Sequence, residues 1–182
     1  MLLQSIEHTI QEYLSRFDSD AAILTDLTML IQDGVNITSR KEFRGHVTCG
    51  AILFEPDGSI LMVHHRALGK WFLPGGHIEG TDECLRDAAI RELIEETDIK
   101  QSDLVPFNSW VDREPFDVDR HIIPANVNRN EPAHIHWDFR YIFQANSQVG
   151  KIQLAEIMDW KYLKTEALPP TLRDRIRSRL SD

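Results

Sequence analysis

Cysteine, excess basic charge and long apolar runs are all scarce in this chain of 182 residues. Two cysteines, Cys49 and Cys84, are too few for a disulfide scaffold, so we expect two reduced thiols. Twenty Lys and Arg against 29 Asp and Glu give a net charge of −9, which argues against binding a nucleic acid polymer. No run approaches the roughly 18 apolar residues of a membrane span, and the first residues lack the pattern of a secretory signal. We therefore expect a cytoplasmic protein that binds small molecules rather than membranes.

Two amphipathic helices are predicted within residues 1–44. Apolar residues recur at helical spacing from Leu2 to Phe17 and again from Ile23 to Ile31. Asp18 to Asp20 supplies candidate N-caps between them, and Gly34 is a natural stop. The pattern predicts an N-terminal helical hairpin with a connector, which either packs on the rest of the chain or forms a homodimer interface.

Residues 45–182 mix strands and helices without a regular βαβ repeat, which predicts a second unit of the α+β class. Helical patterns begin near Asp82 and at Pro170, and three prolines with several Asn and Asp predict a long loop over 113–133. β-Rich segments predict strands at 47–54, 60–64, 71–73, 105–111, 135–145 and 157–163.

Acidic residues concentrate between Glu79 and Asp98, where eight acids stand against two bases. Glu92, Glu95 and Glu96 follow the i, i+3, i+4 spacing, so on a helix their carboxylates share one face. Carboxylates this close repel each other. A bound Mg²⁺ or Mn²⁺ would turn the repulsion into attraction, because both ions prefer hard oxygen ligands. A solvated acidic face is the alternative.

The segment 75–99, GGHIEGTDECLRDAAIRELIEETDI, resembles the signature of the Nudix hydrolases, G-x5-E-x7-R-E-U-x-E-E-x-G-U with U aliphatic. The wider resemblance covers about residues 46–168. The spacing from Gly76 to Glu83 is one residue longer than the signature, and Asp82 takes the formal position. Asp98 replaces the closing glycine, and Asp tolerates the left-handed conformation at a cost of roughly 1 kcal/mol.

The resemblance implies an α/β/α sandwich with a mixed sheet and a hydrolase that depends on Mg²⁺ or Mn²⁺. The bond broken would be a pyrophosphate in a nucleoside diphosphate linked to another group, as in a nucleotide sugar, ADP-ribose, a dinucleotide or a nucleoside triphosphate. Arg91 would act with the glutamates in catalysis by holding the helix geometry. The implied metal ligands are Glu92, Glu95, Glu96, Glu83 and the carbonyl of Gly76.

Seven polar residues are candidates for substrate binding: His64, Arg66, His77, Glu79, His136, Asp138 and Arg140. The first four end a predicted strand or precede the acidic helix, where ordinary surface polarity is the alternative. The last three alternate with apolar residues, so on a strand they share one face with His134. That pattern resembles a bacterial Nudix subgroup. Such residue types bind metals, accept protons or hold phosphates, whereas a solvated sheet face is the alternative.

Three other functions fit part of the sequence. A non-catalytic nucleotide-sensing Nudix module often loses the glutamates that stand here. An isomerase acting on isoprenoid diphosphates uses a cysteine where this chain has Pro-Gly-Gly, and neither cysteine lies there. A structural domain that binds a divalent ion is the third. A Mg²⁺-dependent phosphate-release assay separates the hydrolase from both binding classes.

Overall fold

The computed structural model describes residues 2–107, 113–150, 152 and 155–180. Its α-helices are α1 (Leu2–Arg16), α2 (Ala21–Gln32), α3 (Leu85–Thr97) and α4 (Pro170–Leu180). Its strands are β1 (His46–Phe54), β2 (Ile60–His65), β3 (Lys70–Phe72), β4 (Gly75–His77), β5 (Leu104–Val105), β6 (Asp117–Ile123), β7 (His134–Ala145) and β8 (Ile157–Leu163). Within the described ranges, none of the helices has the length and apolarity needed to cross a membrane.

One mixed sheet is built around β1 and β7, which run parallel to each other. β1 pairs antiparallel with β4 along its first half and with β2 at Phe54. β2 in turn pairs with β3 and β8. On the other side, β7 pairs antiparallel with β6 and, at its end, with β5. The predicted mixed sheet is therefore confirmed, and β1 joins its two halves.

Helices cover both faces of this sheet. Every residue of β1 is buried. Alternate side chains from Val47 to Leu53 share a core with α3 and the two N-terminal helices. On the other face, Ile52 and Phe54 share a second core with Leu172 and Ile176 of α4. Because strand side chains alternate between faces, the two cores make the expected α/β/α sandwich.

The two N-terminal helices pack directly on the sheet. The Trp137 indole of β7 donates a hydrogen bond to the Ile23 carbonyl at 2.9 Å. Asp20, between the helices, accepts hydrogen bonds from the Tyr13 hydroxyl and from Arg175 and Arg179 of α4. The predicted helical hairpin is confirmed, while a boundary at residue 44 and a homodimer stay predictions.

β6 lies within residues 113–133, where the sequence predicts a loop, and that prediction is wrong. All seven residues of β6 pair with β7. A continuous ladder along a long neighbouring strand satisfies the backbone hydrogen bonds and overrides the turn-forming residues on either side. Of the described part of the strand predicted at 105–111, Val105 lies in β5, whereas Pro106 and Phe107 lie outside any strand. Residues 108–112 lie outside the described ones.

α3 begins at Leu85, three residues later than the sequence predicts. The Asp82 carboxylate accepts a hydrogen bond from the backbone N–H of Glu79 at 2.7 Å and so stabilises a turn before the helix. At the other end, Asp98 has φ 57°, which confirms the left-handed conformation expected at the position of the missing glycine.

The ion pair between Asp20 and Arg179 predicts a large loss of stability when the carboxylate is removed. Both side chains are 5% exposed, so Asp20→Ala leaves a buried guanidinium without its counter-charge. We expect the free energy of unfolding to fall by about 3–5 kcal/mol in urea denaturation. Asp18→Ala, an exposed control, should change it by less than about 0.5 kcal/mol. Equal midpoints for the two variants would contradict this role.

Candidate functional site

β4 brings glycine backbone against the acidic face of α3. Gly75 and Gly76, which the sequence predicts as a loop, form a strand paired with β1. A Cβ atom built on Gly76 would lie 2.4 Å from Oε1 of Glu92. Only glycine permits this approach without moving the carboxylate. Pairing with the sheet therefore fixes the backbone beside which α3 places its glutamates.

Glu96 is a buried acid whose hydrogen bonds are incomplete. Its side chain points inward from α3, and the residue is 5% exposed. The backbone N–H of Gly75 donates to its carboxylate, but Oε2 has no hydrogen-bond partner among the described residues. Burial and the neighbouring charge of Glu92 raise the pKa of Glu96 to about 8. Burial also raises the pKa of Glu92.

Two further acids lie near this pair. The side chain of Glu95 is 46% exposed. Glu156, just before β8, lies close enough that its charge raises the pKa of both Glu92 and Glu96. The sequence analysis missed Glu156, because a single acid before a strand carries no local signal and its position depends on strand pairing. The carboxylate cluster consists of Glu92, Glu95, Glu96 and Glu156.

Arg91 ties the turn before α3 to the helix. Its guanidinium donates to both carboxylate oxygens of Asp82, at 3.0 and 3.1 Å. It also donates to the His77 carbonyl at 2.8 Å and to Glu92 at 2.9 Å. Arg91 thus binds Asp82, the residue that stands at the glutamate position of the signature when it is counted from Gly76. Glu83, the next residue, is exposed. A role for Glu83 in metal binding stays a prediction.

The polar face of β7 lies on the side of the sheet opposite α3. The Asp138 carboxylate accepts hydrogen bonds from Thr48 at 3.1 Å and from Arg140 at 2.9 Å. Arg140 also forms ion pairs with two aspartates of β6. Its guanidinium is thus held by three carboxylates, so the structure lends no support to phosphate binding by Arg140. Substrate contacts of Asp138 stay a prediction.

Two of the other candidates, His77 and His136, also point to this second face. Their ring centroids lie 5.4 Å apart. Burial lowers the pKa of His77 to about 4 and that of His136 to about 2. Both rings are therefore neutral near pH 7. The structure separates them from the carboxylate cluster by the thickness of the sheet.

The remaining substrate-binding candidates lie around the ends of β2 and β4. The His64 ring packs 4.9 Å from the Trp71 ring. The backbone N–H of Arg66 donates to the Glu156 carbonyl at 2.7 Å, which ties the end of β2 to the carboxylate cluster. Glu79 is exposed. Contacts between these three residues and a substrate stay predictions.

The donor set of the carboxylate cluster fits a hard divalent cation. Carboxylate oxygens are the ligands that Mg²⁺ and Mn²⁺ prefer. Oε2 of Glu96, which has no hydrogen-bond partner among the described residues, has a lone pair with which to bind such a cation. The Gly76 carbonyl lies on the adjoining strand and accepts a weak S–H hydrogen bond from Cys49 at 3.6 Å. Buried acids without a counter-charge are unfavourable, so a cation would remove a cost already present in the fold.

Comparison with known sequences identifies relatives of this chain. The family model described as NUDIX domain matches residues 44–181. A probable DHNTP pyrophosphohydrolase from Lactococcus lactis is 33% identical over 129 residues, which cover 66% of this chain and 69% of that protein. Phosphatase NudJ of Escherichia coli K12 is 38% identical over 80 residues, covering 41% of this chain and 51% of NudJ. The chain therefore spans about half the length of NudJ.

A solved structure shares the fold. The E. coli dihydroneopterin triphosphate pyrophosphohydrolase superposes with a TM-score of 0.55 and covers 75% of this chain and 96% of its own. The two sequences are 16% identical, so this likeness shows the fold alone.

The raised pKa of Glu96 predicts that the metal-free protein loses stability as pH rises. The native state keeps a proton up to about pH 8, whereas the unfolded state releases it near the ordinary value of 4.5. Unfolding therefore becomes easier through that window. Glu96→Gln removes the titrating group, so in EDTA near pH 9 we expect a melting temperature at least ~5 °C above that of the wild type.

The same variant should melt close to the wild type below about pH 3.5, where both states of the wild type hold the proton. Glu12→Gln on the exposed side of α1 is the control and should show no pH-dependent gain. A gain for Glu96→Gln that is equal at both pH values would mean that Glu96 has an ordinary pKa.

Proposed function

Because the chain belongs to the Nudix family, we propose that it is a divalent-cation-dependent hydrolase that breaks a pyrophosphate bond in a nucleotide derivative. The observation that carries this proposal is the buried Glu96 carboxylate beside Glu92 and the glycine backbone of β4. One of its oxygens has no hydrogen-bond partner in the part of the chain that the structure describes. A purely structural helix gains nothing from that arrangement, since it costs free energy in the absence of a cation.

Glu92 and Glu96 are the residues that would hold Mg²⁺ or Mn²⁺, with Glu95 and Glu156 beside them. When bound, such a cation neutralises substrate phosphates and lowers the pKa of a bound water. The Gly75 N–H orients Glu96. Glu95 pairs with Arg91 at 3.4 Å and is nearly half exposed, so it is the carboxylate best placed to take a proton from an attacking water.

The substrate of the proposed reaction is a small molecule with linked phosphates. A net charge of −9 and an acidic site would repel it unless a cation screened the charge. The Lactococcus relative and the E. coli structure carry the names of pyrophosphohydrolases of DHNTP and dihydroneopterin triphosphate. Triphosphates therefore come first in a substrate panel, followed by dinucleotides, nucleotide sugars and ADP-ribose. Location in the cytoplasm stays an expectation.

Phosphate release from this panel with Mg²⁺ or Mn²⁺ tests the proposal, with inorganic pyrophosphatase added for the triphosphates and alkaline phosphatase for the other compounds. These coupling enzymes convert the pyrophosphate or phosphate monoesters left by a split pyrophosphate bond into free phosphate. We expect wild-type turnover that disappears in EDTA. Glu92→Gln and Glu96→Gln keep the side-chain shape and remove a charged ligand, so each should lower turnover by at least about 100-fold. Glu12→Gln, on the exposed side of α1, should retain wild-type turnover.

Full Mg²⁺-dependent turnover in both Glu92→Gln and Glu96→Gln would contradict the assignment of the site. Calorimetry with the same compounds gives a second readout. Tight binding of a nucleotide derivative that is never hydrolysed would identify a sensing module instead of an enzyme.

A further inference from the structure

Five histidine rings meet on the face of the sheet opposite α3. They come from neighbouring strands: His46 from β1, His77 from β4, His121 from β6, and His134 and His136 from β7. The register explains the meeting, because His46 lies directly opposite His136 and Thr48 lies directly opposite His77. The His46 ring centroid lies 4.4 Å from that of His136 and 5.2 Å from that of His77.

Three of these rings place ligand atoms around one point. One nitrogen each of His46, His77 and His136 lies within 4.8 Å of the other two. Around a tetrahedral Zn²⁺ with bonds of ~2.0–2.1 Å, ligand nitrogens stand about 3.3 Å apart. To bind one ion, the three nitrogens would have to approach one another by at most about 1.5 Å.

His46 is oriented as a metal-ligating histidine usually is. Its Nδ1 lies 3.2 Å from the Glu42 carbonyl, so Nδ1 carries the proton and Nε2 carries a lone pair. The residue is 1% exposed, and Nε2 has no hydrogen-bond partner among the described residues. A buried acceptor without a donor costs free energy. An ion between the strands would use this lone pair.

His134 supports the same arrangement from the neighbouring position on β7. Its Nδ1 lies 2.8 Å from the Pro132 carbonyl, which leaves Nε2 as an acceptor. That Nε2 accepts a hydrogen bond from Nε2–H of His136 at 3.1 Å, which holds the His136 ring in place and leaves its Nδ1 as the nitrogen with a lone pair. Burial, together with the charge of exposed Arg40, lowers the pKa of His46 and His77. Because Arg40 is positively charged, a cation here is best completed by an anionic fourth ligand.

We propose that His46, His77 and His136 bind Zn²⁺ or a similar borderline divalent cation at a site separate from the carboxylate cluster. Neutral imidazoles suit such ions, whereas carboxylates suit Mg²⁺ and Mn²⁺. His77 directly follows Gly76, whose backbone contacts Glu92 from the opposite face. The two sites are thus placed back to back across β4, and each has its own class of ion.

Co²⁺ is the probe, because tetrahedral coordination by nitrogen gives it visible absorption bands that octahedral oxygen coordination does not. The titration uses full-length protein carrying Glu92→Gln and Glu96→Gln, so that the carboxylate cluster does not compete. We expect one tetrahedral Co²⁺ per chain, displaced by Zn²⁺ and not by Mg²⁺. Adding His136→Gln or His77→Gln should lower Co²⁺ affinity by at least about 100-fold.

His8→Gln on the exposed side of α1 is the control and should bind Co²⁺ as well as its parent. Circular dichroism of each variant shows that the fold is retained, and two independent histidine variants guard against one that unfolds. Co²⁺ bands that survive both His136→Gln and His77→Gln in folded protein, or no tetrahedral Co²⁺ at all, would overturn the proposal.

This readout does not use turnover, so the two proposals fail separately. Loss of phosphate release with intact Co²⁺ binding refutes the hydrolase alone. Intact phosphate release without tetrahedral Co²⁺ refutes the histidine site alone.

Discussion

The contact between the backbone of Gly76 and the carboxylate of Glu92 sets how closely α3 lies on the sheet. Small side chains on α3 permit this close approach. Ala88 and Ala89 of the helix are both fully buried. Arg91 fixes the contact by binding Glu92 and the backbone of β4 together. The carboxylate cluster therefore depends on a strand three residues long, which pairing with β1 holds in place.

Buried charge is treated differently on the two sides of the molecule. Toward α4, Asp20 and Asp117 meet Arg175, Arg179 and Arg140, so acids and bases are paired. In the carboxylate cluster, by contrast, Glu96 has no ion-pair partner among the described residues, and burial raises its pKa. The residues proposed to act on substrate thus include a buried acid without a counter-charge, and strongly perturbed acids of this kind are typically found at the active sites of enzymes.

Local patterns could be predicted from the sequence and long-range pairings could not. The glutamates of α3 have helical spacing, and Asp98 stands where a helix usually ends in the left-handed conformation. Both features could therefore be predicted from the sequence. The partner of Arg91 could not be, because helical spacing favoured Glu83 over Asp82 at the glutamate position of the signature, whereas Arg91 binds Asp82. β6, Glu156 and the meeting of His46 with His77 and His136 depend on strands that are distant in sequence.

The strand β4 has two faces, and each carries a different donor set. The carboxylates proposed to bind Mg²⁺ or Mn²⁺ lie on the side of β4 that faces α3, and the imidazoles proposed to bind Zn²⁺ lie on the opposite side. A shift of β4 would therefore alter both proposed sites together. This coupling follows from one short pairing, in which Cys49 faces Gly76 and Thr48 faces His77. A substitution in β4 therefore affects both proposed sites, whereas one in α3 affects the carboxylate cluster alone.

Gly76→Ala, compared with Gly80→Ala, tests this account most directly. The Gly76 φ angle is not positive, so the backbone accepts alanine, but the new Cβ lies 2.4 Å from the Glu92 carboxylate and displaces it. A Cβ at Gly80 meets nothing within 4 Å. We expect Gly76→Ala to fold and to lose at least about tenfold in both Mn²⁺ affinity and turnover, with Gly80→Ala like the wild type. Wild-type Mn²⁺ affinity and turnover in Gly76→Ala would contradict the account.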